Sequence, residues 1–310
     1  MNTKYFRHKL EDGRELAIWR SSSEEIRNTE AAPVVVICPG FGRKMRQLGA
    51  VALTLVSNGC VVYRFDSLSH VGLSDGSIAN FNISDLVCSL EATIALARSI
   101  DKQENVSIVG MSISSLAAYW VASNDQNIES IVMLSGVVDG VMTLEAATGE
   151  DYTNFRSEDL PKSVEIEGFD VNPRNLWNDH KLRGWLSSAK IAHDISRCGC
   201  LIVNFVGEGD PWVSLDDCQN IFEVSFLGDD TKKRRRIIVK LPFNGHDIAG
   251  NPLALEKVLK EMTSFILFGE GPLNVTRAKE IVVPSFRKIL ENRVSERSLE
   301  SEIFLDLKDD

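Results

Sequence analysis

The chain predicts an α/β protein with a mostly parallel central sheet and helices on both faces. Three observations point there: short β-branched runs alternate with segments of helical period, a hairpin pattern precedes them, and 44% hydrophobic residues in a chain of 310 supply a large core. Neither an internal repeat nor a low-complexity tract interrupts the pattern.

The opening segments "YFRHKL" and "RELAIWR", joined across "EDG", read as an antiparallel hairpin with an Asp-Gly turn. "PVVVICPG" (33–40), "CVVYRFD" (60–66), "NVSIVG" (105–110), "SIVMLSG" (130–136), "LIVNFVG" (201–207) and "RIIVKL" (236–241) are near-continuous apolar runs. Strands buried on both faces need that composition. Between them, "MRQLGAVALTLVSN" (45–58) and "SDLVCSLEATIALARSI" (84–100) carry apolar residues three and four apart, and Ser84 is the expected cap of the second helix. A third helix is expected through Leu116 to Val121.

The alternation breaks once, where roughly sixty residues separate the strands at 130–136 and 201–207, far more than a crossover requires. This stretch mixes acidic residues with Phe155, Phe169, Trp177 and Trp185, and "LSSAKIAHDI" has helical spacing. It is expected to form a cap insertion, about 140–195, over the C-terminal edge of the sheet. The end of the chain, "FRKILENRVSERSLESEIFLDL", predicts a charged helical tail at about 284–310, so residues 1–310 are read as a single domain with a cap.

A formal charge of -10 argues against general nucleic-acid affinity, which needs a clustered positive surface. No apolar run is long enough to span a membrane, and "MNTKYFRHKLEDGREL" lacks the apolar core of a signal peptide, so a cytoplasmic location is expected. The six cysteines, Cys38, Cys60, Cys88, Cys198, Cys200 and Cys218, show no metal-binding spacing and are read as reduced and buried. Two basic runs stand out on this acidic chain: "RKMR" at 43–46 and "KKRRR" at 232–236.

The chemistry is concentrated in "SIVGMSISSLAAYW" (107–120), where three serines sit between a strand and a helix. A serine on such a turn is the nucleophile elbow of α/β-hydrolases, which tolerates only small residues two before and two after it. Ser112 has Gly110 and Ser114 in those places; Ser114 is followed by Leu116 and Ser115 preceded by Ile113, both bulky. Ser112 is therefore the candidate nucleophile. In this fold an acid and then a histidine follow the serine along the chain. Of the five histidines, His8, His70, His180 and His193 precede the last strand, while His246 in "LPFNGHDI" follows it and is the candidate base. Asp210, in "FVGEGDPWVS" after the strand at 201–207, is the candidate acid, with Glu208 and Asp139 as competitors. Two backbone N–H groups must face the developing oxyanion. Ile113, next after the serine, is one candidate donor, and Phe41 in the glycine-rich loop "CPGFGRKM" is the other; that loop lacks the spacing of a phosphate-binding motif.

With these residues placed, "GFGRKM", "NGCVVYRFDSLSHVGLSDGSIANF" and the elbow with Ser112 followed by Ser114 resemble the acyltransferase family of bacterial bioluminescence, thioesterases that release myristic acid for a fatty acid reductase complex. Fainter similarity in "LSGVVDGVMTLEAATGEDY", "FEVSF", "GHDIAGNPLALEKVL" and "ENRVSERSLESEI" extends it over nearly the whole chain. The resemblance implies an acyl-serine intermediate on Ser112, with His246 as base and Asp210 as acid. Acyl carrier protein or coenzyme A would carry the acyl donor, the chain would be about C14, fatty acid reductase subunits would be candidate partners, and neither metal nor cofactor is called for. A general carboxylesterase and a non-catalytic ligand-binding relative are the alternatives. The cap insertion is expected to wall an apolar acyl tunnel, and Arg43, Lys44 and Arg46 are expected to dock an acidic carrier.

Overall fold

The computed structural model describes residues 1–24, 32–225, 235–269 and 280–309. Strands β1 (Asn2–Lys9) and β2 (Glu15–Ser22) form the expected hairpin, in register from Asn2 opposite Ser22 to Lys9 opposite Glu15. β3 (Val34–Cys38), β4 (Val61–Phe65), β5 (Val106–Met111) and β6 (Ile128–Leu134) follow. A separate two-stranded ribbon, β7 (Val164–Ile166) and β8 (Phe169–Val171), precedes β9 (Leu201–Gly207) and β10 (Arg236–Leu241). The eight-stranded sheet runs β1-β2-β4-β3-β5-β6-β9-β10, antiparallel as far as the β2–β4 pair and parallel from β4 onward.

Every residue of β3, β4 and β9 is buried, which is why these strands carry no polar alternation. Successive side chains still point to opposite faces. Val34 and Val36 join one core layer with Ile108, Ile131 and Ile202, whereas Val35 and Ile37 join the other with Val109, Val132 and Val203. The first layer is covered by α2 (Ile83–Asp101) and α3 (Ser114–Asn124), the second by α1 (Gly49–Ser57), which follows a 3-10 turn at Met45–Leu48. No helix among the described residues is long and apolar enough to cross a membrane.

The helix expected to begin at Ser84 begins at Ile83, and its cap is Asn82, whose side chain accepts the Asp85 N–H at 2.8 Å. Ser84 is used differently. Its N–H and hydroxyl both bind the carboxylate of Asp179, and its Oγ accepts the indole N–H of Trp185 at 3.0 Å. Asp179 lies on α5 (Pro173–Arg183), so this serine ties the insertion to the main sheet layer.

The insertion also contains α4 (Gly140–Thr148) and runs into α6 (Ser188–Arg197), close to the expected helix. Its aromatic residues extend the first core layer: Trp177 is buried in it, and Tyr152 packs edge-on against both Trp177 and Phe155. Beyond β9, α7 (Leu215–Val224) and α8 (Pro252–Phe268) complete the layers. The tail is one helix, α9 (Phe286–Asp309), packed against α1 and the Met45–Leu48 turn. The six cysteines are free; all are buried except Cys88, which is half-buried, and burial alone pushes the Cys60 thiol up to about 12.

Candidate active site

The site is assembled where β3, β5, β9 and β10 end. At the β5–α3 turn, Ser112 has a φ of +52°, the left-handed region that a residue with a Cβ occupies at a cost of order 1–3 kcal/mol. Neighbouring backbone enforces the strain: the Ser112 N–H donates to Leu134 C=O at 2.9 Å, and its C=O accepts the N–H groups of Ser115 and Val137. The requirement for small neighbours has a direct cause. A Cβ on Gly110 would lie 2.6 Å from the Met133 Cε and 2.8 Å from the Ser114 Oγ, so positions 110 and 114 occupy one space.

The other two serines are spent on structure. Ser114 is buried; its Oγ accepts the Met111 N–H at 2.7 Å and can donate to the Met111 C=O at 2.8 Å. Ser115 is also buried and donates to Val137 C=O at 2.7 Å.

Asp210 and His246 come from loops after β9 and β10 that must nearly touch. The loops approach so closely that a Cβ on Gly207 would stand 2.3 Å from the Asn244 C=O, and the Gly209 N–H donates to that same oxygen at 2.9 Å. The Asp210 carboxylate, with no exposed side-chain surface, accepts the N–H groups of Trp212 and Val213 at 2.9 and 3.0 Å. His246 Nδ1 lies 3.0 and 2.9 Å from its two oxygens, and His246 Nε2 lies 2.8 Å from the Ser112 Oγ. Asp210, His246 and Ser112 thus form one hydrogen-bonded line in which the histidine can take a proton from the serine. The competing acids sit elsewhere: Glu208 is exposed, and Asp139 caps α4 by accepting the Met142 N–H.

Phe41 and Ile113 border the voids next to Ser112, and among the described residues neither backbone N–H has a partner. These are the two residues picked from the sequence as oxyanion donors. Trp212, which pattern reading passed over, covers the His246 ring at 4.6 Å between centroids. Glu167, on the β7–β8 turn, also reaches the site; burial raises its carboxyl above the ordinary range, against the pull of Arg43.

A cavity of about 390 Å³ opens beside Ser112, lined by apolar Ala50, Val51, Met111, Leu134, Ile248 and Leu255. It lies between α1, α8 and the tail helix, and Glu167 is its one lining residue from the insertion. On the cap side, Thr143, Leu144, Ala147 and Ile166 border only about 20 Å³. This corrects the expectation of a tunnel walled by the insertion, whose buried side chains pack into the main core layer instead. The basic run is divided by the tail. Glu300 of the tail binds Arg46 at 2.6 Å and Lys44 at 3.4 Å, which leaves Arg43 as the member of the run facing the cavity.

A strained serine between a parallel strand and a helix, joined to a histidine and an aspartate from later loops of this sheet, defines an α/β-hydrolase. Solved structures agree on the fold. Est1E from Butyrivibrio proteoclasticus, with ferulic acid bound, superposes with a TM-score of 0.65 at 20% identity over 83% of this chain and 96% of that one. The thioesterase domain from the curacin biosynthetic pathway gives 0.55 at 14% identity over 86% and 100%. Sequence narrows the class further. Residues 5–304 match the acyl transferase family, and the acyl transferase of Photobacterium leiognathi is 30% identical over 295 residues, 94% of this chain and 90% of its own. The chain belongs to that acyl transferase family, the one that its "GFGRKM" loop and its elbow resemble.

Proposed function

We propose that the protein moves a long-chain fatty acyl group from a thioester to water or another acceptor through an ester on Ser112. The observation that carries this is the Ser112–His246–Asp210 line opening directly into the apolar cavity of about 390 Å³. In the acylation step, His246 Nε2 takes the hydroxyl proton as the Ser112 Oγ attacks the thioester carbonyl carbon. The N–H groups of Phe41 and Ile113 hold the resulting oxyanion. Collapse breaks the C–S bond, and the proton on His246 passes to the departing thiolate. Water, deprotonated by the same nitrogen, then attacks the acyl-serine carbonyl; collapse breaks the C–Oγ bond, the proton on His246 returns to the Ser112 oxygen, and the acid leaves. Asp210 accepts the His246 Nδ1–H throughout and stabilises the imidazolium in both steps.

The apolar lining supports a long chain, about C14, because each methylene buried there contributes about 0.8 kcal/mol. The donor is an acyl group on acyl carrier protein or coenzyme A, and the acid released supplies a fatty acid reductase. Intact-protein mass spectrometry after incubation with acyl thioesters of graded length tests the proposal. An adduct on Ser112 that accumulates best with long chains is expected. Fast turnover of short nitrophenyl esters without long-chain adducts would favour a carboxylesterase instead. Failure to label with a fluorophosphonate would favour a non-catalytic binding protein.

A further inference from the structure

Phe41 belongs to the loop between β3 and the Met45–Leu48 turn, and a loop donor is useful only if it is held still. The segment after β4 braces this loop at two points. Asp66 Oδ1 accepts the Met45 N–H at 2.7 Å, while its Oδ2 accepts the Leu73 N–H at 2.8 Å. Four residues further on, His70 Nε2 accepts the Gly42 N–H at 2.9 Å. His70 is 5% exposed, and its ring meets Phe41 edge-on at 5.8 Å and Phe81 at 5.5 Å. The Phe41 ring is pinned further by Phe81 at 5.0 Å and by Phe169 of the insertion at 6.0 Å. An N–H pointing at Nε2 requires that nitrogen to be unprotonated, so the proton of the neutral ring sits on Nδ1.

These contacts fix both sides of Phe41. Its ring packs edge-on against three others, and the peptide that follows it is tied to His70. We propose that His70 is a positioning residue whose Nε2, by holding the Gly42 N–H, keeps the preceding Phe41 N–H aimed at the oxyanion. This rests on the acyl-transfer reading of Ser112. It differs from a packing role in one respect: an aromatic ring of similar size would restore packing but not the acceptor.

The test compares wild type with His70→Gln, His70→Phe and His70→Asn in single-turnover acylation of Ser112 and in kcat and KM with a small acyl thioester. Glutamine places an amide oxygen near the Nε2 position; asparagine reaches only the Nδ1 position. Loss of an oxyanion donor lowers kcat by about 10²–10³-fold. His70→Phe should show a loss of that order with KM within about twofold, because the interaction exists only in the transition state. His70→Gln should stay within about tenfold of wild type. An unchanged rate in a folded His70→Phe, or equal losses in His70→Phe and His70→Gln, would overturn the inference. If His70→Phe does not fold, the asparagine and glutamine variants decide it: a kcat deficit confined to asparagine supports positioning, and equal rates overturn it. Absence of any Ser112 adduct in wild type would instead overturn the acyl-transfer reading.

Discussion

Arg64, near the end of β4, and Glu296, in the C-terminal helix α9, form an ion pair 2.7 Å long with side chains 0% and 4% exposed. The guanidinium also donates to the Ser21 Oγ at 3.1 Å and the Met45 C=O at 3.3 Å, and it lies over the Trp19 ring. The tail is therefore seated on the central sheet through a charge that water cannot reach. Replacing one partner of such a pair strands the other, which costs about 3–5 kcal/mol.

Glu296→Ala should accordingly lower the unfolding free energy by about 3–5 kcal/mol in urea titrations, and Glu296→Gln by less, since it keeps a hydrogen-bond acceptor. Because Arg293 on the same helix lines the cavity beside Ser112, long-chain thioester turnover should fall with tail seating. A change below about 1 kcal/mol in Glu296→Ala would mean the pair does not hold the helix.

At the elbow, Ser112→Ala should abolish the acyl adduct, whereas Ser114→Ala should keep it. The second variant leaves the Met111 N–H without its acceptor, a loss worth about 1–3 kcal/mol. Thermal unfolding with adduct mass spectrometry separates the effects. An adduct on Ser114 in a tryptic peptide would overturn the assignment.

The two side chains that brace the loop carrying Phe41 titrate in opposite directions. Burial lowers His70 to about 4, so its contribution to stability is complete above its ordinary value near 6.5 and is lost as pH falls toward 4. Burial raises Asp66 to about 6 against hydrogen bonds from the Met45 and Leu73 N–H groups, so its effect is most favourable below its ordinary value and is lost as pH rises toward 6. Between about pH 4 and pH 6 the two slopes, each at most about 1.4 kcal/mol per pH unit, nearly cancel. Relative to wild type, His70→Gln should lose stability as pH rises through this window and Asp66→Asn should gain it. Urea unfolding at three pH values checks the pair, and parallel curves for all three proteins would mean that neither group shifts.

Much of this was legible because its causes are local. Gly110, Ser112 and Ser114 lie within five residues, and Asp210 and His246 each follow a strand whose composition marks it. What escaped the sequence depends on distant partners. Asn82 and Ser84 are equally good caps, and only Asp179, on an inserted helix, draws Ser84 away. His70 reads as a loop histidine until folding brings it to Gly42. The cavity's position escaped for the same reason, since α1, α8 and α9 meet only in the fold.

The basic runs give the last prediction. Lys44 and Arg46 are held by Glu300, residues 232–234 lie outside the described residues, and Arg236 is buried, donating to the backbone carbonyls of Ile195, Cys198 and Cys200. Arg43 and Arg293 differ. Both are exposed residues lining the cavity beside Ser112, and among the described residues neither guanidinium has an ion-pair partner. If the donor is an acidic carrier protein, a chain of net charge -10 would repel it unless a local positive patch steered the approach, and such charges act mainly on the association rate. Arg43→Glu with Arg293→Glu should therefore reduce kcat/KM for carrier-bound substrate by about 10-fold or more at low salt, while a small thioester is turned over nearly as before. Raising the ionic strength should close the gap between variant and wild type, because screening removes what the arginines supplied. Lys44→Glu or Arg46→Glu should instead lower stability and affect both substrates alike, since each breaks a contact with the tail. Steady-state kinetics on both substrates across a salt series decides it, and equal losses on the two substrates in the Arg43/Arg293 variant would mean that these arginines shape the cavity mouth rather than receive a carrier.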